Sequence, residues 1–140
     1  MRLVLDTNVI VTAMRSPAGA SAALLMAARS EKTTILANVA LALEYEATCL
    51  RPEHGVASGL RPAQVAIFID AVIAMAEPVE SHFLWRPQLR DPADELVLEA
   101  AANGQAAAIV TFNTGDFGTV PLLFGIEVLS PVDAFRRITP

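Results

Sequence analysis

Four short stretches of this sequence set acids or their amides among apolar neighbours. Residues 3–11, LVLDTNVIV, place Asp6, Thr7 and Asn8 in the middle of an apolar run. Residues 41–48, LALEYEAT, carry Glu44 and Glu46, and residues 91–98, DPADELVL, carry Asp91, Asp94 and Glu95. Residues 109–117, IVTFNTGDF, carry Thr111, Asn113 and Asp116. Burying an unpaired carboxylate costs several kcal/mol or raises its pKa until it neutralises, so Asp6 needs a partner or a use. Carboxylates that share a cleft repel one another, and cations relieve that repulsion. Mg²⁺ and Mn²⁺ are hard ions that prefer oxygen ligands. Bound to carboxylates, such an ion can activate a water and neutralise charge on a phosphodiester.

The elements that must position these residues alternate along the chain. Residues 2–6 read as a buried strand. Residues 18–30 read as a helix opened by Ser16-Pro17, 33–37 as a second strand, and 39–50 as a helix capped by Asn38. Arg51 to Gly55 ends that helix, 55–61 reads as a loop, and Arg61-Pro62 starts a helix to about Met75. Residues 82–90 read as irregular, and Asp91-Pro92 opens a helix over 92–103, stopped by Asn103-Gly104. Residues 107–111 and 126–129 read as strands around a loop at 112–118, and Ser130-Pro131 begins a last short helix. Strands alternating with helices predict an α/β fold, a three-layer α/β/α sandwich with a mostly parallel central sheet, in one domain over 1–140. In such sheets sites form at the carboxyl ends of strands. Asp6 and the Thr111–Asp116 group both fall there. On the 39–50 helix, Ala40, Leu43, Ala47 and Leu50 make one apolar stripe with Glu44 and Glu46 at its margins. Asp94 lies in the first turn of its helix, on the face continued by Leu98 and Ala101.

Composition narrows the chemistry. The chain has 140 residues, 54% of them apolar, and mean hydropathy +0.46. That suffices for a core in one domain. No run of 18 apolar residues predicts a membrane span, and the first residues lack a signal-peptide pattern, which predicts a cytoplasmic protein. The single cysteine, Cys49, excludes an internal disulfide and reads as a buried thiol. Two histidines, His54 and His82, disfavour a histidine-based metal site or a Ser-His-Asp triad. Net charge −5 and pI about 4.9 argue against a broad basic face for nucleic acid. They leave open an enzyme that meets phosphates through bound cations.

Each acid also has a plainer reading. Asp91 before Pro92 is expected cap chemistry. Asp94 suits the positive end of a helix dipole. Glu46, Glu95 and Glu99 read as solvated-face charges. Asn113 and Asp116 suit a turn, Thr7 and Asn8 could cap a following helix, and Phe83 and Trp85 read as packing or interface residues.

LVLDTNVIV, LALEYEATCLRPE, RDPADELVLEAA and IVTFNTGDF occur in the order seen in PIN-domain proteins, and the chain resembles their branch of toxin components of toxin–antitoxin pairs. The resemblance implies a Mg²⁺- or Mn²⁺-dependent ribonuclease, inhibited by a cognate antitoxin. It places the first acid at Asp6 beside Thr7 and Asn8, the second at Glu44 and the third at Asp94. The fourth falls on Asn113, which keeps an oxygen but loses a charge; Asp116, three residues on, is the nearest substitute. By that resemblance Asp6 and Asp94 hold the metal and Glu44 completes the shell or orients the attacking water. Asp116 or Asn113 supports a second ion or a water, Thr111 positions these groups, and Arg15 contacts phosphate.

Two other readings compete. Asn113 motivates a PIN-like scaffold that binds a protein partner or RNA and cleaves little. An aspartate ending the first strand also suits a phospho-aspartate phosphatase or a receiver domain. Those need a lysine at a later strand end, and Lys32, the only lysine, precedes the second strand. The Ala-rich helix at 63–76 predicts a homodimer face. An antitoxin is expected to lay a peptide over the acidic cleft, pairing an arginine with its carboxylates.

Overall fold

The structure, a computed structural model, describes residues 1–82 and 87–139. Phe83 and Trp85, read above as packing residues, lie outside that range. Five parallel strands, β1 (Arg2–Leu5), β2 (Thr34–Ala37), β3 (Glu77–Pro78), β4 (Ala108–Val110) and β5 (Glu127–Leu129), form one sheet in the order β3-β2-β1-β4-β5. Seven helices among the described residues cover it: α1 (Thr7–Arg15), α2 (Ala20–Arg29), α3 (Val39–Cys49), α4 (Pro52–Ser58), α5 (Pro62–Met75), α6 (Pro92–Asn103) and α7 (Pro131–Ile138). Right-handed crossovers leave β1 in opposite directions, toward β2 and β3 and toward β4 and β5, and so put helices on both faces. The result is the expected three-layer α/β/α sandwich.

β1 is the central strand because its side chains suit no other place. Leu3, Val4 and Leu5 have no exposed surface, as a strand covered on both faces requires. β1 pairs with β4 through Leu3–Ala108, Val4–Ile109 and Leu5–Val110. With β2 its register runs only through Arg2–Thr34 and Leu3–Ile35. On its other edge, β2 pairs with β3 through Leu36–Glu77 and Ala37–Pro78.

Three elements correct the sequence reading. Residues 7–15, to which the sequence reading gave no element, form α1, whose Val9, Ile10, Val11, Ala13 and Met14 are all buried. Its less buried residues Asn8, Thr12 and Arg15 recur at helical spacing on the outer face. Residues 52–58 form α4 rather than a loop, with Pro52 at its first position and Gly59 in the left-handed conformation at its end. On α3 the buried stripe is Leu41, Tyr45 and Cys49, not Ala40, Leu43, Ala47 and Leu50. Val39 and Leu43 are 77% and 60% exposed. Three apolar stripes compete on so uniformly apolar a helix, and Tyr45, the largest side chain among the candidates, fills the interior.

Helix α6 begins where the sequence placed it, with Asp91 Oδ1 accepting from the Ala93 N–H at 2.9 Å. Its stop works differently from a left-handed glycine. Gly104 has φ −85, and Gln105 takes the positive φ of 52. Gly104 is required by space instead: a Cβ there would lie 2.8 Å from the Ala100 carbonyl and 2.9 Å from Val79. Among the described residues no helix is long and apolar enough to cross a membrane.

Candidate active site

The sheet changes winding direction between β1 and β4, and that junction is where open α/β sheets form ligand crevices. Asp6 leaves β1 at this point. Its backbone N–H donates to Val110 O at 2.9 Å, which ties it to the end of β4. Its carboxylate is held from both sides. Oδ1 accepts from the Thr7 N–H at 2.8 Å, making Asp6 itself the cap of α1. Thr7 and Asn8, read as possible caps, lie inside the first turn. Oδ2 accepts from the Thr111 hydroxyl at 2.7 Å. Asp6 is 8% exposed, and Thr111 is fully buried.

Thr111 is the hub of this wall. Its hydroxyl proton goes to Asp6, so its remaining capacity is to accept. It accepts from the Asn113 backbone N–H at 3.0 Å and from Asn8 Nδ2 at 3.5 Å. That assignment turns Asn8 Oδ1 the other way. It is buried with no hydrogen-bond partner among the described residues, the kind of orphan acceptor that asks for an occupant. Beneath Asp6, the buried Tyr45 hydroxyl donates to the Leu5 carbonyl. Burial, then the charge on Asp6, holds the Tyr45 hydroxyl far above its ordinary pKa, so it is a neutral donor.

The opposite wall is built from a helix terminus and a turn. A cleft of about 540 Å³ is lined by residues 88–91, Asp94, residues 115–118 and Val120. Asp116 lies in a 3₁₀ turn, Thr114–Phe117, anchored by the buried Phe117. Desolvation, then the charges of Asp6, Asp91 and Asp116, pushes the Asp94 carboxyl up to about 6. Asp6 is also raised, first by burial and further by Asp116 and Asp91, against the lowering by its hydrogen bonds to Thr111 and Thr7. Asp6 and Asp94 thus both feel the charges of Asp91 and Asp116, and Asp94 that of Asp6 as well.

The structure joins Asp6, Thr111, Asn8 and Asn113 in one hydrogen-bonded cluster, with Thr7 beside them, and places Asp94 and Asp116 in the cleft, near enough for their charges to matter to that cluster. Asp91 joins them, although its cap pattern alone explained its place in the sequence. Only its effect on Asp6 and Asp94 marks the second role. Glu44 is half-buried and accepts from the Thr48 hydroxyl at 3.3 Å. It does not figure among the charges that raise Asp6 and Asp94. Arg15 is carried away from the crevice. It ends α1, eight residues after Thr7, roughly 12 Å along the helix axis. Arg90 lines the cleft instead. Glu95, read as a solvated charge, accepts from the Gln88 and Leu89 N–H groups and folds the preceding loop onto α6.

The donor set suits a hard divalent cation. It is all oxygen, the neighbouring acids raise Asp6 and Asp94, and the Asn8 oxygen has no hydrogen-bond partner among the described residues. No three acids, cysteines or histidines among the described residues stand close enough to enclose an ion by themselves, so water or substrate oxygens would complete any shell.

No curated protein and no solved structure matches the chain. A family model does match it. PIN domains are generally nucleases and typically use divalent metals. The match spans Asp6, Glu44, Asp94, Thr111 and Asn113 and stops one residue short of Asp116. Over residues 2–115, most of its length, the chain matches the PIN domain family and belongs to it.

Proposed function

We propose that the chain is a Mg²⁺- or Mn²⁺-dependent endoribonuclease and the toxin of a toxin–antitoxin pair. The observation that carries the reading is the charge coupling of Asp6, Asp91, Asp94 and Asp116 at the junction of β1 and β4. Perturbed carboxylates gathered beside a cleft are a mark of functional sites. When bound, the cation would activate water and neutralise charge on the scissile phosphate. Asp6 and Asp94 would hold it, with Asp116 and the Asn8 and Asn113 amides in reach of its waters. Glu44 would orient the attacking water or complete the shell. Thr111 fixes the Asp6 carboxylate, and Arg90 offers the RNA phosphates a cation at the rim of an otherwise acidic cleft.

The acidic cleft also suits an antitoxin peptide bearing an arginine, which would occupy the carboxylates in place of a metal. A homodimer would cover the outer faces of α5 and α3, where Ile67 and Leu43 are 68% and 60% exposed. One observation favours a second reading, a partner-binding scaffold with weak activity: no three of the acids converge tightly, and Asn113 lacks the charge of an aspartate.

One experiment separates the two. Mn²⁺ is titrated calorimetrically into the wild type and into the Asp6→Ala, Asp94→Ala double variant, with circular dichroism as the folding check and single-stranded RNA as substrate. The nuclease reading expects heat of binding and metal-dependent cleavage in the wild type, both lost in a folded double variant. Absence of both in the wild type moves the chain to the scaffold.

A further inference from the structure

We propose that Tyr45 is a positioning residue for the carboxylate pair Asp6 and Glu44, setting the register of α3 against the end of β1. The inference rests on the nuclease reading for its catalytic consequence, but its structural part stands apart from it.

The reason lies in where the ladders of β1 end. Its register with β2 runs through Arg2–Thr34 and Leu3–Ile35, whereas that with β4 continues to Leu5–Val110. Leu5, next to Asp6, is thus paired in register with β4 alone. A buried carbonyl past the end of a ladder needs a donor. The Tyr45 hydroxyl supplies it. Tyr45 is 1% exposed and sits in the middle of the buried stripe Leu41, Tyr45, Cys49. One hydroxyl therefore bonds the residue before Asp6 and belongs to the residue after Glu44. A shift of α3 along its axis would move Glu44 and release the Leu5 carbonyl together. Leu41 and Cys49, above and below on the same stripe, make only apolar contact and carry no such coupling.

The test compares Tyr45→Phe, which removes one oxygen, with Cys49→Ala, which trims the same stripe one turn away. Three readouts are taken: amide hydrogen exchange, Mn²⁺ affinity by calorimetry, and kcat and KM on single-stranded RNA. Tyr45→Phe is expected to speed exchange of the Asp6 and Thr7 amides, to weaken Mn²⁺ binding roughly tenfold or more, and to lower kcat with little change in KM. Cys49→Ala is expected to lower the melting temperature while leaving those amides and the Mn²⁺ affinity within about twofold of wild type. Equal exchange and equal Mn²⁺ affinity in Tyr45→Phe and wild type overturn the proposal. Wild type that neither binds Mn²⁺ nor cleaves RNA overturns the nuclease reading alone, and the exchange comparison still decides for or against Tyr45. Tyr45 is the only tyrosine, so 3-fluorotyrosine labelling provides a check on the unmutated chain. Bound Mn²⁺ is expected to broaden its single fluorine resonance; binding without broadening places the metal elsewhere and overturns the proposal.

Discussion

The two walls of the crevice are made of different material. Asp6 stands at the meeting of two central strands, its oxygens held by a backbone N–H and a buried hydroxyl. Asp91, Asp94 and Asp116 stand on a helix start and a 3₁₀ turn, with Asp91 and Asp116 exposed and Asp94 half-buried. The first wall gives a fixed point of charge. The second gives charge that can adjust to what the cleft holds. A site that must grip a cation yet admit a long polymer gains from that division, since a fixed reference is needed on one side and clearance on the other.

Removing the fixed point should cost most. Asp6→Asn keeps the shape of the cap but not the charge. RNA cleavage is expected to fall by about two orders of magnitude or more, while the melting temperature holds or rises, because a raised, partly desolvated carboxylate has been neutralised. A matched loss of folding and activity would show that Asp6 serves the fold first.

Thr111→Val comes next. It keeps volume and removes the hydroxyl that orients Asp6 and accepts from Asn8 and Asn113. Activity or Mn²⁺ affinity should drop roughly tenfold or more, and unfolding in urea should show about 1–3 kcal/mol lost to groups left without partners. An unchanged Mn²⁺ affinity would mean that the wall is held by its backbone alone.

The adjustable wall should show itself in pH. The Asp94 carboxyl is raised from 3.8 to about 6, so the native state holds a proton that the unfolded chain has released. The stability linked to Asp94 is therefore full below about pH 4 and lost as pH rises through about 6. The metal-free protein should melt at progressively lower temperature across that window, and Asp94→Asn should flatten the slope. Added Mn²⁺ should raise the melting temperature more at pH 7 than at pH 5, since it competes with the proton.

The smallest effect is expected at Arg15. Arg15→Ala, at the far end of α1, should leave RNA affinity and cleavage within about twofold, whereas Arg90→Ala at the cleft rim should raise KM. The reverse result would put the RNA path across α1 instead of over the second wall.

The strands and the acids at their ends were legible because local chemistry and topology agree there. An aspartate closing an apolar strand, and a threonine closing another, have few places to go in a parallel sheet. α6 was legible to the residue because Asp91-Pro92 and Gly104 punctuate it. α1 was not, since it follows β1 with only Asp6 between them and its β-branched residues have low helix propensity, although Asn8, Thr12 and Arg15 recur at helical spacing. The inward face of α3 was not, because alanine and leucine on every side leave only Tyr45 to mark the interior. Asp91 was half legible: cap chemistry explained its presence so well that its charge toward Asp94 needed the fold to become visible. Arg15 was misplaced by the same missed helix, which adds nine residues of rigid rod between it and the crevice.

The bond between Thr111 and Asp6 joins residues 105 positions apart. During synthesis β1 is made well before its partner β4. At ordinary translation rates the interval is on the order of ten seconds. Through it LVLDTNVIV is a nascent apolar segment rich in β-branched residues, the kind of sequence that seeks other strands. Asp6 is the one charge within it. The carboxylate that loads the finished crevice with repulsion is thus also the gatekeeper that keeps the unfinished chain from pairing with the wrong neighbour.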